Sequence, residues 1–310
     1  MNRREFGQLA VGAGLAGALS LRDAQGMVFS GLSGTASPSA ATAAPAPVSG
    51  VRFSDMIWTL EKQAPFDRCL EIVAEAGYQG VELTGQFRKW SPADAQRYQA
   101  KMSSLGLIVD VLSAVRVGFA DPNTGPAFQA AIAEQIDFCK QYKSPQINLR
   151  SGNVIEGVDR SVQHAAAIEN LKHAAELAAA AGIEILIEPV DGLEAPKEYL
   201  TTVTEGFEIV RAVGSPQVKV LYDFYHEQRQ YGNLIEKLEK NIDLVGLVHI
   251  ADVPGRHEPG TGEIDYGNIY KKLAELKYSR FITMEFYPTG EPVAALKKAR
   301  LEALQAMGMS

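Results

Sequence analysis

From Val51 onward, short apolar runs of strand length alternate with longer stretches in which apolar residues recur every three or four positions. The short runs predict strands and the longer stretches amphipathic helices. VRFSDMIW precedes a helical stretch from Pro65 to Ala76, closed by Gly77. QGVEL precedes a helix opening at Ser91-Pro92-Ala93-Asp94, an N-cap followed by proline at the first turn. LIVDVLSA leads into a helix from about Pro126 to Tyr142, and PQINLRSG into an Ala-rich helix from Asp159 to Ala181, ended by Gly182. The second half repeats the scheme: IEILIEP, QVKVLYD, DLVGLVHIAD and SRFITMEFY each lead to a helix. Those helices lie near 202–213, 233–242, 266–276 and 292–307.

Eight strand–helix units in about 260 residues predict a single (β/α)8 TIM barrel of the α/β class, with no second domain. The strands are apolar on both faces, as a parallel sheet covered by helices requires. No glycine-rich loop follows the first strand, which disfavours a doubly wound nucleotide fold.

The first 50 residues do not share this pattern. Arg3-Arg4 with Phe6, then an uncharged Ala/Gly/Leu-rich stretch from Gly7 to Leu21, read as a twin-arginine export signal over 1–30. The stretch is too short and too rich in small residues to span a bilayer, which takes ~20 apolar residues. Apart from Leu32 and Val48, residues 31–50 are Ser, Ala, Thr, Pro and Gly, the composition of a disordered linker. The barrel is therefore assigned to 51–310. The expected location is the periplasm, without stable membrane insertion after processing. Cys69 and Cys139 fall on the first and third predicted helices with another helix between them, so buried free thiols are expected rather than a disulfide.

Charge narrows the partners. Without residues 1–50 the chain keeps 27 basic and 35 acidic side chains, a balance of −8. With no dense Lys/Arg cluster, nucleic acid is not an expected partner. A small molecule is; a homo-oligomer is compatible with the sequence.

The chemistry gathers at strand ends. ILIEP places Glu188, VLYDF Asp223, LVHIAD His249 and TMEF Glu285 just before successive loops, roughly 25 to 40 residues apart. In a parallel barrel those ends share one mouth. Leu186/Glu188, Leu221/Asp223, Leu247/His249 and Thr283/Glu285 can share the inward parity. One such residue is readily explained as a solvated strand end paired with a loop cation. Four on consecutive strands suggest one divalent cation with three oxygen ligands and one nitrogen: Mn²⁺, Mg²⁺ or Co²⁺, with Zn²⁺ tolerated. His226, three residues past Asp223, is placed to bond a substrate oxygen. The loop from Asp252 to Glu263 holds three glycines and two prolines, a backbone able to approach a ligand. Within it, Arg256, His257 and Glu258 are candidate substrate contacts. Glu194 is expected to orient a hydroxyl or His226, and Glu82 and Trp58 to wall the pocket.

At these motifs the chain resembles the sugar isomerase/epimerase barrels of the xylose isomerase-like superfamily, and within it the hydroxypyruvate isomerase-like proteins. The likeness rests on the run from His249 to Ile264, on Val213-Gly214-Ser215-Pro216, on Tyr222-Asp223 with His226, and on Glu188-Pro189. It covers the chain from about Val51 to the C-terminus. The resemblance implies one divalent metal held by Glu188, Asp223, the seventh-strand residue and Glu285. It also implies that Glu188 and Glu285 exchange protons with opposite sides of the substrate. The seventh-strand ligand is often Gln in hydroxypyruvate isomerases; here it is His249, as in ketose 3-epimerases. The expected activity is isomerisation of a small hydroxy-carbonyl compound, such as hydroxypyruvate to tartronate semialdehyde, through a cis-enediolate. Arg256 would hold the carboxylate. A ketose 3-epimerase would share this machinery. A non-catalytic exported carbohydrate-binding protein is the alternative from another class. An apurinic endonuclease of similar fold would want further metal ligands and a basic face.

Overall fold

The computed structural model describes residues 50–309; the export signal and nearly all of the linker expected at 1–50 lie outside them. Eight parallel strands close into a barrel in the order β1-β2-β3-β4-β5-β6-β7-β8. They are β1 (Arg52–Met56), β2 (Gly80–Leu83), β3 (Ile108–Leu112), β4 (Gln146–Leu149), β5 (Glu184–Ile187), β6 (Val218–Asp223), β7 (Val245–Ile250) and β8 (Phe281–Met284). The helices are α1 (Phe66–Glu75), α2 (Pro92–Ser104), α3 (Gly125–Tyr142), α4 (Arg160–Ala181), α5 (Val203–Val213), α6 (Phe224–Gln230), α7 (Leu234–Asn241), α8 (Tyr266–Glu275) and α9 (Pro292–Ala306). None among the described residues is long and apolar enough to cross a membrane.

Local chemistry fixes the helix ends. Ser91 accepts from the Asp94 N–H at 3.1 Å, and Asp159 from the Ser161 N–H at 2.8 Å, so each cap satisfies an orphan donor of its helix. One element departs from the sequence expectation. β6 is followed by a short helix, α6, as well as the expected α7, because Asp223 itself acts as an N-cap and bends the chain into a helical turn. Cys69 on α1 and Cys139 on α3 are buried and unbridged.

The barrel has two apolar layers. Most of the core lies between strands and helices. A separate inner cluster comprises Val111, Leu186, Leu221, Leu247 and Phe281. The inner cluster places Leu186, Leu221 and Leu247 inside, as the side-chain parity predicted. Gly246 makes room for this packing: a Cβ there would meet Leu186 Cδ2 at 2.4 Å. At the N-terminal end of the strands, Arg280 pairs with Glu184 at 2.6 Å and 3.0 Å.

Above the inner leucines the interior turns polar. Ser54 lies 2.7 Å from Thr283 and donates to Asp110, all three fully buried. The side chains two residues further along β5 to β8 therefore emerge at the C-terminal mouth. In register, Asp223 lies beside His249. Strand order then sets Glu188 and Glu285 on either side of that pair.

Candidate metal centre and its surroundings

Glu188, Asp223, His249 and Glu285 are all buried, and each offers one ligand atom within 4.8 Å of the others. The geometric expectation from the sequence thus describes a real cluster. His249 sits at its centre. Its Nδ1 is 2.7 Å from Glu285 Oε2 and 4.0 Å from Glu188 Oε1. Its Nε2 is 2.9 Å from Glu82 Oε2. Glu188 Oε2 accepts from the Asn148 amide at 2.7 Å. Asp223 divides its work: Oδ1 accepts from the Tyr225 and His226 N–H groups at 2.7 Å and 3.3 Å, while buried Oδ2 has no hydrogen-bond partner.

That orphaned oxygen bears on the fit of a metal. A buried carboxylate oxygen without a partner is costly. It belongs to a set of three carboxylates and one imidazole, the donors that a hard or borderline divalent cation takes. The residues fit such a cation, with His249 offering Nδ1 while Nε2 stays on Glu82.

Electrostatics separates the two glutamates. Burial, reinforced by the charge of Glu285, pushes the Glu188 carboxyl above its ordinary range. Burial opposes ionisation of Glu285 as well, yet Arg256 and His249 hold its carboxyl below the usual range. Burial likewise works against a charged His226, and Asp223 and Asp191 outweigh it, raising the imidazole.

The surrounding candidates divide into two groups. Arg256 is buried over the cluster. Its Nη2 is 2.5 Å from Glu285 Oε1 and 3.5 Å from Asp223 Oδ2, its Nη1 meets Glu194 at 2.9 Å, and its Nε donates to the Glu285 carbonyl. The guanidinium also lies over the rings of Trp58 and Tyr225, at 5.6 Å and 4.9 Å. His226 anchors Nδ1 on Asp191 Oδ2 at 2.7 Å and turns Nε2 toward Asp223 Oδ2, 3.5 Å away. The residue that orients His226 is thus Asp191, whereas Glu194 meets Arg256 and Arg229. Asp191, Glu194 and His226 also lie close together, but Arg229 stands 3.2 Å from Asp191 and supplies the positive charge there.

His257 and Glu258 are not brought to the cluster. His257 Nδ1 lies 2.8 Å from the Tyr287 carbonyl, and Glu258 accepts from Thr289 N–H and Oγ1 at 3.0 Å and 2.5 Å. Both tie the β7–α8 loop to the segment after β8. The loop itself is organised by Asp252, which the sequence reading did not single out. Its carboxylate accepts from the N–H groups of Val253, Gly260, Gly262 and Ile264 at 2.9–3.0 Å. Glu82, read only as pocket wall, and Asn148 were likewise undervalued. A polar residue between apolar neighbours in a buried strand, Glu82 in GVEL and Asn148 in QINL, was the available signal.

Comparison with known proteins agrees with the barrel fold. The family model described as xylose isomerase-like TIM barrel matches residues 70–307, and the chain belongs to that family. Hydroxypyruvate isomerase of Escherichia coli is 31% identical over 176 residues, covering 57% of this chain and 68% of that one. The 2-oxo-tetronate isomerase of Cupriavidus necator is 30% identical over 243 residues, covering 76% and 92%. Among solved structures, a protein described as AP endonuclease, family 2, from Brucella melitensis superposes with a TM-score of 0.71. It is 26% identical and covers 80% of this chain and 97% of its own.

Proposed function

We propose that this protein is a metal-dependent isomerase of a small hydroxy-carbonyl compound, with Glu188 and Glu285 as its proton-transfer pair. The observation that carries the reading is the arc Glu188–Asp223–His249–Glu285, with two carboxylates flanking one imidazole and one further carboxylate. A binding protein has no need for a pair of carboxylates on either side of its ligand; moving a proton between adjacent carbons does. The names of the E. coli and C. necator relatives support the same reaction class.

Asp223, His249 and the two glutamates would hold one divalent cation. Bound there, it would supply Lewis-acid stabilisation of negative charge on adjacent substrate oxygens. The chain's own residues do the rest. Glu285, kept ionised by Arg256, takes the proton from the hydroxyl-bearing carbon next to the carbonyl. Glu188 gives one to the former carbonyl carbon, the substrate's hydroxyl proton passes to the former carbonyl oxygen, and proton exchange with water resets the two carboxyls. His226, fixed by Asp191, donates from Nε2 to a substrate oxygen as charge develops. Trp58 and Tyr225 flank the Arg256 guanidinium and help keep it in place. The Arg3-Arg4 motif supports export of the folded protein to the periplasm; retention of Arg3→Lys/Arg4→Lys in the cytoplasm of fractionated cells would bear that out.

The test is deuterium uptake. In D₂O, metal-loaded protein is expected to exchange the carbon-bound proton of hydroxypyruvate or a short ketose. Glu285→Gln is expected to lower that rate by about 10²–10⁴-fold while keeping its fold. Ligand binding without exchange by the wild type would favour a carbohydrate-binding protein instead.

A further inference from the structure

A cavity of about 200 Å³ opens beside Glu188, bounded by Met56, Ser113, Arg116, Asn148, Arg150 and Glu188 itself. Its inner part is already oriented: buried Asn148 donates to Glu188, and half-buried Ser113 donates to Glu82 at 2.6 Å. Its rim carries two exposed guanidinium groups. They differ in how they are held. Arg150 Nη2 is fixed on Glu198 Oε2 at 2.7 Å. Glu198 is in turn buried, and its other oxygen accepts from Ser151 N–H and Oγ at 3.1 Å and 2.7 Å. One side of the Arg150 fork is thus committed to the protein and the other remains for a ligand. Arg116 has no carboxylate partner among the described residues.

The sequence assigned a substrate carboxylate to Arg256, but that guanidinium is engaged with Glu285, Glu194 and Asp223 on the opposite side of the cluster. We infer that Arg116 and Arg150, rather than Arg256, form the subsite that holds the carboxylate of the hydroxy-oxo acid. This rests on the isomerase reading above. Planar guanidinium forks suit a carboxylate in geometry as well as charge. A carboxylate at the rim sets the next carbons of such an acid beside Glu188, where a proton can be returned.

The test separates binding from turnover. D-Glycerate, a short hydroxy acid, is titrated calorimetrically into the metal-free wild type and into Arg116→Met/Arg150→Met. Saturable binding by the wild type is expected, weakened at least about tenfold in the double variant. Arg116→Met alone, which breaks no ion pair, should weaken it several-fold and guards against a folding artefact. No saturable binding, equal affinity in the double variant, or glycerol binding as tightly as D-glycerate would overturn the subsite. Displacement of D-glycerate by inorganic phosphate at a much lower concentration would reassign it to a phosphate ester and equally overturn the carboxylate assignment. In deuterium exchange, the preference of kcat/KM for hydroxypyruvate over erythrulose should fall about tenfold in the double variant. Exchange of neither compound by the wild type would refute the isomerase reading without touching the glycerate result.

Discussion

Glu82 Oε2 lies 2.9 Å from His249 Nε2, fully buried, and thereby fixes which imidazole nitrogen faces the carboxylate cluster. Ser113 steadies the other Glu82 oxygen at 2.6 Å. Carboxylates in this position hold a ligating imidazole in one tautomer and one orientation, and their loss typically costs about 10–100-fold in metal affinity. Glu82→Ala should therefore weaken Mn²⁺ binding by about that factor. Glu82→Gln, whose amide oxygen still accepts from Nε2–H, should weaken it less. Calorimetric titration of metal-free protein reads both; an affinity for Glu82→Ala within twofold of the wild type would show that the pair has no such role.

Deeper in the barrel, Asp110 accepts from Ser54 through Oδ2, while its buried Oδ1 has no partner. Burial, then the nearby Glu82, pushes its carboxyl up to about 7. The folded state consequently holds a proton that the unfolded chain releases at about pH 4. More protons bound when folded means that stability falls as pH rises between those values. The contribution is full below about pH 4 and lost above about pH 7. Asp110→Asn should flatten that part of the profile and stabilise the protein at pH 8. Denaturant midpoints across pH 4–8 provide the check, and an unchanged slope would contradict it.

Gly262 sits where any side chain collides with the loop that carries Arg256. A Cβ there would stand 1.9 Å from the Val253 carbonyl oxygen. Asp252 also receives the Gly262 N–H, so the loop has little freedom to yield. Gly262→Ala should cost about 1–3 kcal/mol of stability. It should also lower kcat/KM for deuterium exchange by at least about tenfold, through displacement of Arg256 from Glu285. Melting temperature and exchange rate measured together would decide. Full activity would mean that the loop position is not coupled to the reaction.

Much of this was legible because a parallel barrel enforces simple rules. Alternation of strand and helix periods marked every strand, and helix caps such as Ser91 and Asp159 are local. Residues two apart share a face, so Leu186, Leu221 and Leu247 pointed inward below the cluster. Other features depended on contacts between distant segments, which periodicity does not encode. Asp223 looked like a strand end, yet it also caps α6, and that short helix carries His226. Arg256 looked like a substrate clamp; only its packing over Trp58 and Tyr225, against Glu285 and Glu194, shows where its donors go. His257 and Glu258 belong to a loop rich in chemistry, but their partners are Tyr287 and Thr289. Asp191 and Glu198 gained meaning only when folding set them against His226 and Arg150.

Glu188, Asp223, His249 and Glu285 are proposed to hold one divalent ion at the barrel mouth. Titration of metal-free protein with Mn²⁺, followed by electron paramagnetic resonance, tests it without reference to any substrate. One tight site per chain is expected in the wild type, abolished in Asp223→Ala, whose buried Oδ2 accepts no hydrogen bond. Absence of a tight site in the wild type, or the same site undiminished in Asp223→Ala, would contradict it.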